Sequence, residues 1–256
     1  ESWGVFYISF KGICDKTLDY LNKALNIRKK TGDYTNAASC LVNIGLVYSI
    51  RGEHKPALDY FEEAMKIAKK TRDKRVAAIC LINLGIICQA ESDYKSASKY
   101  YEKALKTAEE IGDQRDIAVS LINIGNIHCH KGEYDKALKC SEKALEIAKE
   151  IGHKRGISDW LVEIGEVYIR KGEYDKAADH FKKAMALAEE IGYLFCAGNC
   201  MKGFGNICVR ENDREKALNY YDQALKLYER SGSLAEADNL KKTMDECIKA
   251  LNINKI

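Results

Sequence analysis

Gly45, Gly85, Gly125, Gly165 and Gly205 follow one another at a constant step of 40 residues. Ala57, Ala97, Ala137, Ala177 and Ala217 keep the same step, as do Ala24, Ala64, Ala104, Ala144, Ala184 and Ala224. A fixed period of this length constrains the chain severely. Each period is one supersecondary unit that cannot bury its apolar face alone, so the units must stack into an array. The clearest copy, Ala118 to Gly152, reads AVSLINIGNIHCHKGEYDKALKCSEKALEIAKEIG. It contains two helical patterns joined at Lys131-Gly132-Glu133.

Within each copy the apolar spacing is helical. Leu121, Ile122, Ile124, Gly125 and Ile127 step by three and four, as a buried helix face requires. Glycine supplies the punctuation: Gly12, Gly52, Gly132 and Gly172 are expected to end one helix of a pair, and Gly32, Gly112, Gly152, Gly192 and Gly232 the other. Arg72, Ser92 and Asn212 stand where the pattern calls for glycine. Asp135 and Asp175 are read as helix N-caps, and Pro56, the single proline, as a first helical residue. Period-two runs and Asn-Gly turns are missing, so no strands are expected.

By period, residues 1–31 form a partial first repeat, with a helix over 1–12 and its partner over 15–31. Full repeats follow at 33–71, 73–111, 113–151, 153–191 and 193–231. A last helix over 233–250 carries Lys241, Lys242 and Asp245 where earlier repeats are apolar or Gly, and is read as a polar cap. The chain opens without Met and partway through a repeat, which points to a trimmed chain or a fragment of a larger protein.

The pattern Leu41-x2-Ile44-Gly45-x2-Tyr48 with Ala57-x3-Phe61-x2-Ala64 resembles the tetratricopeptide repeat. It recurs as Leu161-x2-Ile164-Gly165-x2-Tyr168 with Ala177-x3-Phe181-x2-Ala184. The usual unit has about 34 residues, and six more lengthen the helices by roughly one and a half turns. This long form resembles the arrays of kinesin light chain, rapsyn, the spindle-orientation G-protein regulators and bacterial Rap-type regulators. The resemblance implies an all-α, right-handed solenoid of antiparallel helix pairs. Cys88, His128 and Cys208 depart from the Tyr position, and Ser141 from the Phe position.

The resemblance also implies that first helices line a concave face. The inward residues would then include Val42, Asn43 and Leu46; Ile82, Asn83 and Ile86; Asn123 and Asn126; Glu163, Glu166 and Arg170; Lys202, Asn206 and Arg210. This face grades from apolar to charged. Asn43, Asn83 and Asn123 form a ladder whose amides could pair with the backbone of an extended peptide, or else bond a neighbouring helix and hold the repeats together. Lys202 and Asn206 match one unit's share of the family's carboxylate clamp, but the next unit supplies none of the rest, so that clamp is set aside.

The partner expected is a protein or peptide. The balance of 41 basic and 38 acidic residues calls for no polyanion, so no nucleic acid is expected, and no apolar run is long enough for membrane insertion. The ten cysteines follow the repeat rather than a disulfide framework, which fits free thiols and a cytoplasmic location. No cofactor, metal or catalysis is expected. His128 and His130 point apart on a helix, and the Cys196/Cys200 pair lacks further ligands. Glu163, Glu166 and Arg170 are read as a salt-bridged wall. The main reading is a non-catalytic interaction scaffold. Two alternatives are kept: a peptide-sensing module of a larger signalling protein, and a self-assembling scaffold, a homo-oligomer through Trp3, Val5, Phe6 and Phe10.

Overall fold

In the computed structural model the residues described are 2–253, with side chains from 14 to 251. Twelve helices and no strand occupy them: α1 (Ser2–Thr31), α2 (Tyr34–Ile50), α3 (His54–Thr71), α4 (Lys74–Ala90), α5 (Tyr94–Ile111), α6 (Gln114–His130), α7 (Tyr134–Glu150), α8 (Lys154–Lys171), α9 (Tyr174–Glu190), α10 (Leu194–Arg210), α11 (Arg214–Ser231) and α12 (Leu234–Ile253). The chain divides into two compact units, residues 1–127 and 128–256. In the first, α1 packs on α2, α2 on α3 and α4, α3 on α4, and α4 on α5. In the second, α7 packs on α8, α8 on α9 and α10, α9 on α10, α10 on α11, and α11 on α12.

The turns explain why the helices stop. The amide of each residue after the turn glycine bonds a carbonyl five residues back: Glu53 N–H to Tyr48 O at 2.9 Å, Asp93 to Cys88 at 2.8 Å, Glu173 to Tyr168 at 2.9 Å. Such a closure puts the preceding residue in the left-handed region. Gly52 and Gly172 hold it at φ of 74° and 81°, and so do Arg72 at 58°, Ser92 at 64° and Asn212 at 65°. Arg72 has a Cβ that this conformation disfavours. Arg72→Gly should therefore raise stability by about 0.5–1 kcal/mol, after the extra freedom of glycine in the unfolded chain is subtracted. A urea melt of the variant checks this, and Asn212→Gly should gain less.

Three local expectations are corrected. The division of residues 1–31 at Gly12 is not made, because α1 runs unbroken from Ser2 to Thr31. The equivalent turns inside the five full pairs follow their glycine-site residue with Glu or Asp, whereas Ile13 stands there. Asp135 and Asp175 do not cap; they sit in the first turns of α7 and α9, whose N-cap residues are Glu133 and Glu173. The capping aspartates stand directly after the turn residue: Asp33, Asp73, Asp93, Asp113 and Asp213 accept from the amides of Asn36, Val76, Ser96, Asp116 and Lys216. Pro56 is the third residue of α3, still within the turn whose N–H groups have no intrahelical partner.

The core is built from glycine–aromatic pairs. Phe61, Tyr101, Phe181 and Tyr221 on second helices are at most 1% exposed. A Cβ placed on Gly45 or Gly165 would lie 2.8 or 2.5 Å from the ring of Phe61 or Phe181, and Gly85 and Gly205 face Tyr101 and Tyr221 in the same way. The missing Cβ is the space the ring fills. Helix α12 buries Ala237, Leu240 and Cys247 against α11 and leaves Lys242 and Asp245 exposed.

Candidate functional site

In the first unit, the proposed inward residues divide into two groups. Val42 and Ile82 are 6% exposed and belong to the packed core, so they are not available to a partner as the sequence suggested. Asn43 is exposed, Leu46 half-buried, and Ile86 is 41% exposed. Asn83 and Asn123 are half-buried, and each donates from Nδ2 to the carbonyl one turn back on its own helix, Ile79 O at 2.8 Å and Val119 O at 3.0 Å. They do not bridge to a neighbouring helix. Their Oδ1 atoms carry no hydrogen bond among the described contacts. Asn126 is half-buried. Ile50, one turn beyond Leu46, is 67% exposed.

In the second unit the face is polar. Glu166 makes no ion pair with Arg170, contrary to the salt bridge expected from spacing. It accepts instead from Asn206 Nδ2 on α10 at 3.4 Å, and Asn206 Oδ1 in turn accepts from the hydroxyl of Tyr221 at 2.9 Å. Helices α8, α10 and α11 are joined by this chain of three side chains. Tyr228 Oη donates to Asn199 Oδ1 at 2.6 Å, and in the first unit Tyr101 Oη donates to Gln89 Oε1 at 3.0 Å. These amides therefore satisfy buried tyrosine hydroxyls. Arg170 and Arg210 are exposed, while Glu163 and Lys202 are half-buried.

Sequence reasoning missed one cluster here. Asp159 on α8 accepts from Tyr193 Oη at 3.3 Å, and the Arg155 guanidinium lies 4.2 Å from the Tyr193 ring centroid. Burial pushes the Asp159 carboxyl up to about 6, against the opposing pull of the Tyr193 hydrogen bond and the Arg155 charge. Tyr193 is 34 residues from Asp159, so spacing on one helix gives no sign of the pair.

Reactive chemistry finds little footing. All ten cysteines are free, and eight are buried. Cys196 and Cys200 are 0% exposed, and the hydrogen bond from Cys196 together with burial pushes the Cys200 thiol up, away from the reactive thiolate. His128 Nδ1 lies 2.6 Å from Glu133 Oε2 in the turn before α7. Among the described residues no three His, Cys, Asp or Glu side chains gather as a metal site, and no helix is long and apolar enough to cross a membrane.

Stacked helix hairpins with glycine–aromatic cores and a first-helix face of amides, isoleucines and charges define the class of helical repeat proteins. Within that class, tetratricopeptide repeat profiles match residues 11–70, 80–115, 116–190 and 156–230, and the chain belongs to the tetratricopeptide repeat family. No curated protein matches it by sequence. Among solved structures it is similar to BtubC (BKLC) from P. vanneervenii, with 15% identity, 86% of this chain and 92% of that one covered, and a TM-score of 0.70. It is similar to a Rap protein complexed with competence and sporulation factor, at 16% identity, 96% and 73% coverage and a TM-score of 0.69. The apo form of RapI gives 16% identity, 98% and 99% coverage and a TM-score of 0.66. These likenesses establish the all-α tetratricopeptide solenoid fold.

Proposed function

We propose that the chain is a non-catalytic protein-interaction scaffold that binds a partner segment on its first-helix faces. The observation that carries this reading is the pair Asn83 and Asn123. Each is held by its own helix through Nδ2, and each keeps an acceptor oxygen without a hydrogen bond among the described contacts. A held amide loses little side-chain freedom on binding, and its oxygen suits a peptide N–H. Exposed Ile86 and Ile50 supply apolar contact in the same unit, and Asn43 and Leu46 extend that surface. In the second unit, Glu163, Arg170, Lys202 and Arg210 select charge, while Asn206 holds Glu166 in place. Val42 and Ile82 support this surface from beneath.

The test is affinity capture from the source lysate with wild type and an Asn83→Ala/Asn123→Ala variant, read by mass spectrometry. A protein held by wild type and lost by the variant is the expected result. Two lost amide contacts at about 0.5–1.5 kcal/mol each correspond to a weakening of roughly fivefold to 150-fold. Equal retention by a folded variant sinks this assignment of the face.

A second reading, a peptide-sensing regulatory module, draws on two neighbours. One is the Rap protein solved with competence and sporulation factor. The other is a signal transduction ATPase with numerous domains and a tetratricopeptide repeat sensor, from Pyrococcus horikoshii, of which this chain covers 37%. Saturable binding of a short peptide in place of a protein partner would favour it. Self-assembly through Trp3, Val5, Phe6 and Phe10 falls on side chains outside the described residues. Concentration-dependent mass in sedimentation separates it from a monomeric scaffold.

A further inference from the structure

At the turn end of the α2–α3 hairpin, a cleft of about 500 Å³ is lined by Tyr48, Lys55, Pro56, Asp59, Tyr60 and Glu63. The rings of Tyr48 and Tyr60 are nearly parallel, 10° apart in plane with centroids at 5.5 Å. The repeat supplies an internal comparison for this place. One hundred and twenty residues on, Tyr168 occupies the Tyr48 position, His180 that of Tyr60 and Lys176 that of Pro56. There the His180 ring lies 5.2 Å from Tyr168, and the Lys176 ammonium sits 5.5 Å from the same ring centroid. A stacked ring and a cation therefore fit on that tyrosine together. Where Lys176 supplies the cation, the first unit has Pro56, which cannot.

The charges around the cleft are also particular to this hairpin. Asp59 and Glu63 stand one turn apart on α3. The equivalent pairs are Lys99 and Lys103, Lys139 and Lys143, Asp179 and Lys183, and Asn219 and Gln223. A tyrosine, two carboxylates and no lysine at the Pro56 position coincide only here. Glu63 is engaged by Lys29 of α1 at 2.7 Å. Asp59 is exposed and makes no ion pair or hydrogen bond among the described contacts, and Lys55 on the rim reaches no carboxylate at ion-pair distance. An aromatic face with an unengaged carboxylate beside it is a cation site. A planar cation fits best, since a guanidinium stacks on an aromatic ring while its edge donates to a carboxylate. The chain already places one guanidinium on a tyrosine, with Arg155 4.2 Å from the Tyr193 ring centroid while Asp159 accepts from that tyrosine's hydroxyl.

We propose that the α2–α3 cleft binds an arginine side chain of a partner, its guanidinium stacked on Tyr48 and its edge hydrogen-bonded to Asp59. The site goes beyond the first-helix face described above, because its carboxylates and one of its rings come from the second helix of the pair. The strongest test uses the repeat's own chemistry. Pro56→Lys copies Lys176 and should place the chain's own cation where the arginine would go. The probe is acetyl-Gly-Arg-Gly-amide titrated into the full chain, followed by the NMR signals of the Tyr48 and Tyr60 rings, with the citrulline and lysine peptides alongside.

The expected result is saturable movement of both rings with the arginine peptide and at least tenfold weaker binding of the citrulline and lysine peptides. Pro56→Lys and Asp59→Asn should each weaken the arginine peptide at least tenfold while helix content and melting stay unchanged. Citrulline binding as tightly as arginine would overturn the charge requirement, and lysine binding as tightly would overturn the choice of a guanidinium. Undiminished binding by Pro56→Lys, or no saturable shift at all, would remove the site. The Asn83→Ala/Asn123→Ala variant should bind the probe normally, which keeps this test separate from that of the first-helix face.

Discussion

Phe181→Ala should cost about 3–5 kcal/mol of stability, the largest effect expected from any single side chain discussed. The ring is 0% exposed and occupies the positions where Gly165 of α8 and Gly203 of α10 lack a Cβ. It also meets Phe204 edge-on, with centroids 5.7 Å apart. Removing it loses the transfer energy of a whole aromatic ring and leaves a cavity between three helices. The neighbouring backbones are fixed by their own hydrogen bonds, so the gap closes poorly. Gly165→Ala alone should cost about 1–3 kcal/mol through overpacking, because its Cβ would lie 2.5 Å from the ring. In the Phe181→Ala background that methyl enters empty space, and alanine is the better helix former by about 1 kcal/mol. The same substitution should then be neutral or stabilising. Urea unfolding of the two single variants and the double variant measures the change of sign. A Gly165→Ala penalty that is equal in both backgrounds would refute the account of the glycine as the seat of the ring.

Asp159→Asn should stabilise the protein at pH 8 and make little difference at pH 4. Burial raises the Asp159 carboxyl to about 6, whereas an unfolded aspartate titrates near about 3.9. The folded state therefore binds the proton more tightly than the unfolded one. The resulting stability is fully present below about pH 4 and is lost as pH rises to about 6. Above that, the ionised group carries its full penalty. The shift sets a ceiling near ~3 kcal/mol, and solvent reaching this half-buried group lowers the expectation to about 1–2 kcal/mol. Asparagine keeps an acceptor for the Tyr193 hydroxyl at 3.3 Å and removes the charge. Melting of both proteins across pH 4 to 8 reads the difference directly. A gap that stays constant over that range would mean Asp159 is not the titrating group.

The packing that Phe181 reports was legible in the sequence because glycine recurs in all five full periods and an aromatic at its partner position in four of them, Ser141 being the exception. The groove was less legible. Val42 and Ile82 are apolar residues at inward positions, and no pattern in the chain distinguishes an exposed inward isoleucine such as Ile86 from a buried one such as Ile82. Both sit on α4, and which of them is covered depends on the helices packed against it. Glu166 offers a similar case. Its neighbour Arg170 is one turn away on α8, yet its partner is Asn206, 40 residues along the chain. Spacing on one helix names the available partners on that helix alone, and a stacked helix presents closer ones.

The sequence by itself determined the helical class and the paired helices from residue 33 onward, the left-handed turns at Gly52 and Gly172 and at Arg72, Ser92 and Asn212, the free cysteines, and the glycine–aromatic cores. All of these depend on residues within one hairpin and repeat at a constant step, so local periodicity contains them. The tertiary structure decided which amides satisfy tyrosines and which keep an acceptor. It also decided that Asp159 is partly desolvated, and that Tyr48, Tyr60 and Asp59 surround a cleft while Tyr168 carries its own cation. Those outcomes depend on side chains from different helices meeting at ångström distances, and helix packing sets those distances where repeat spacing does not.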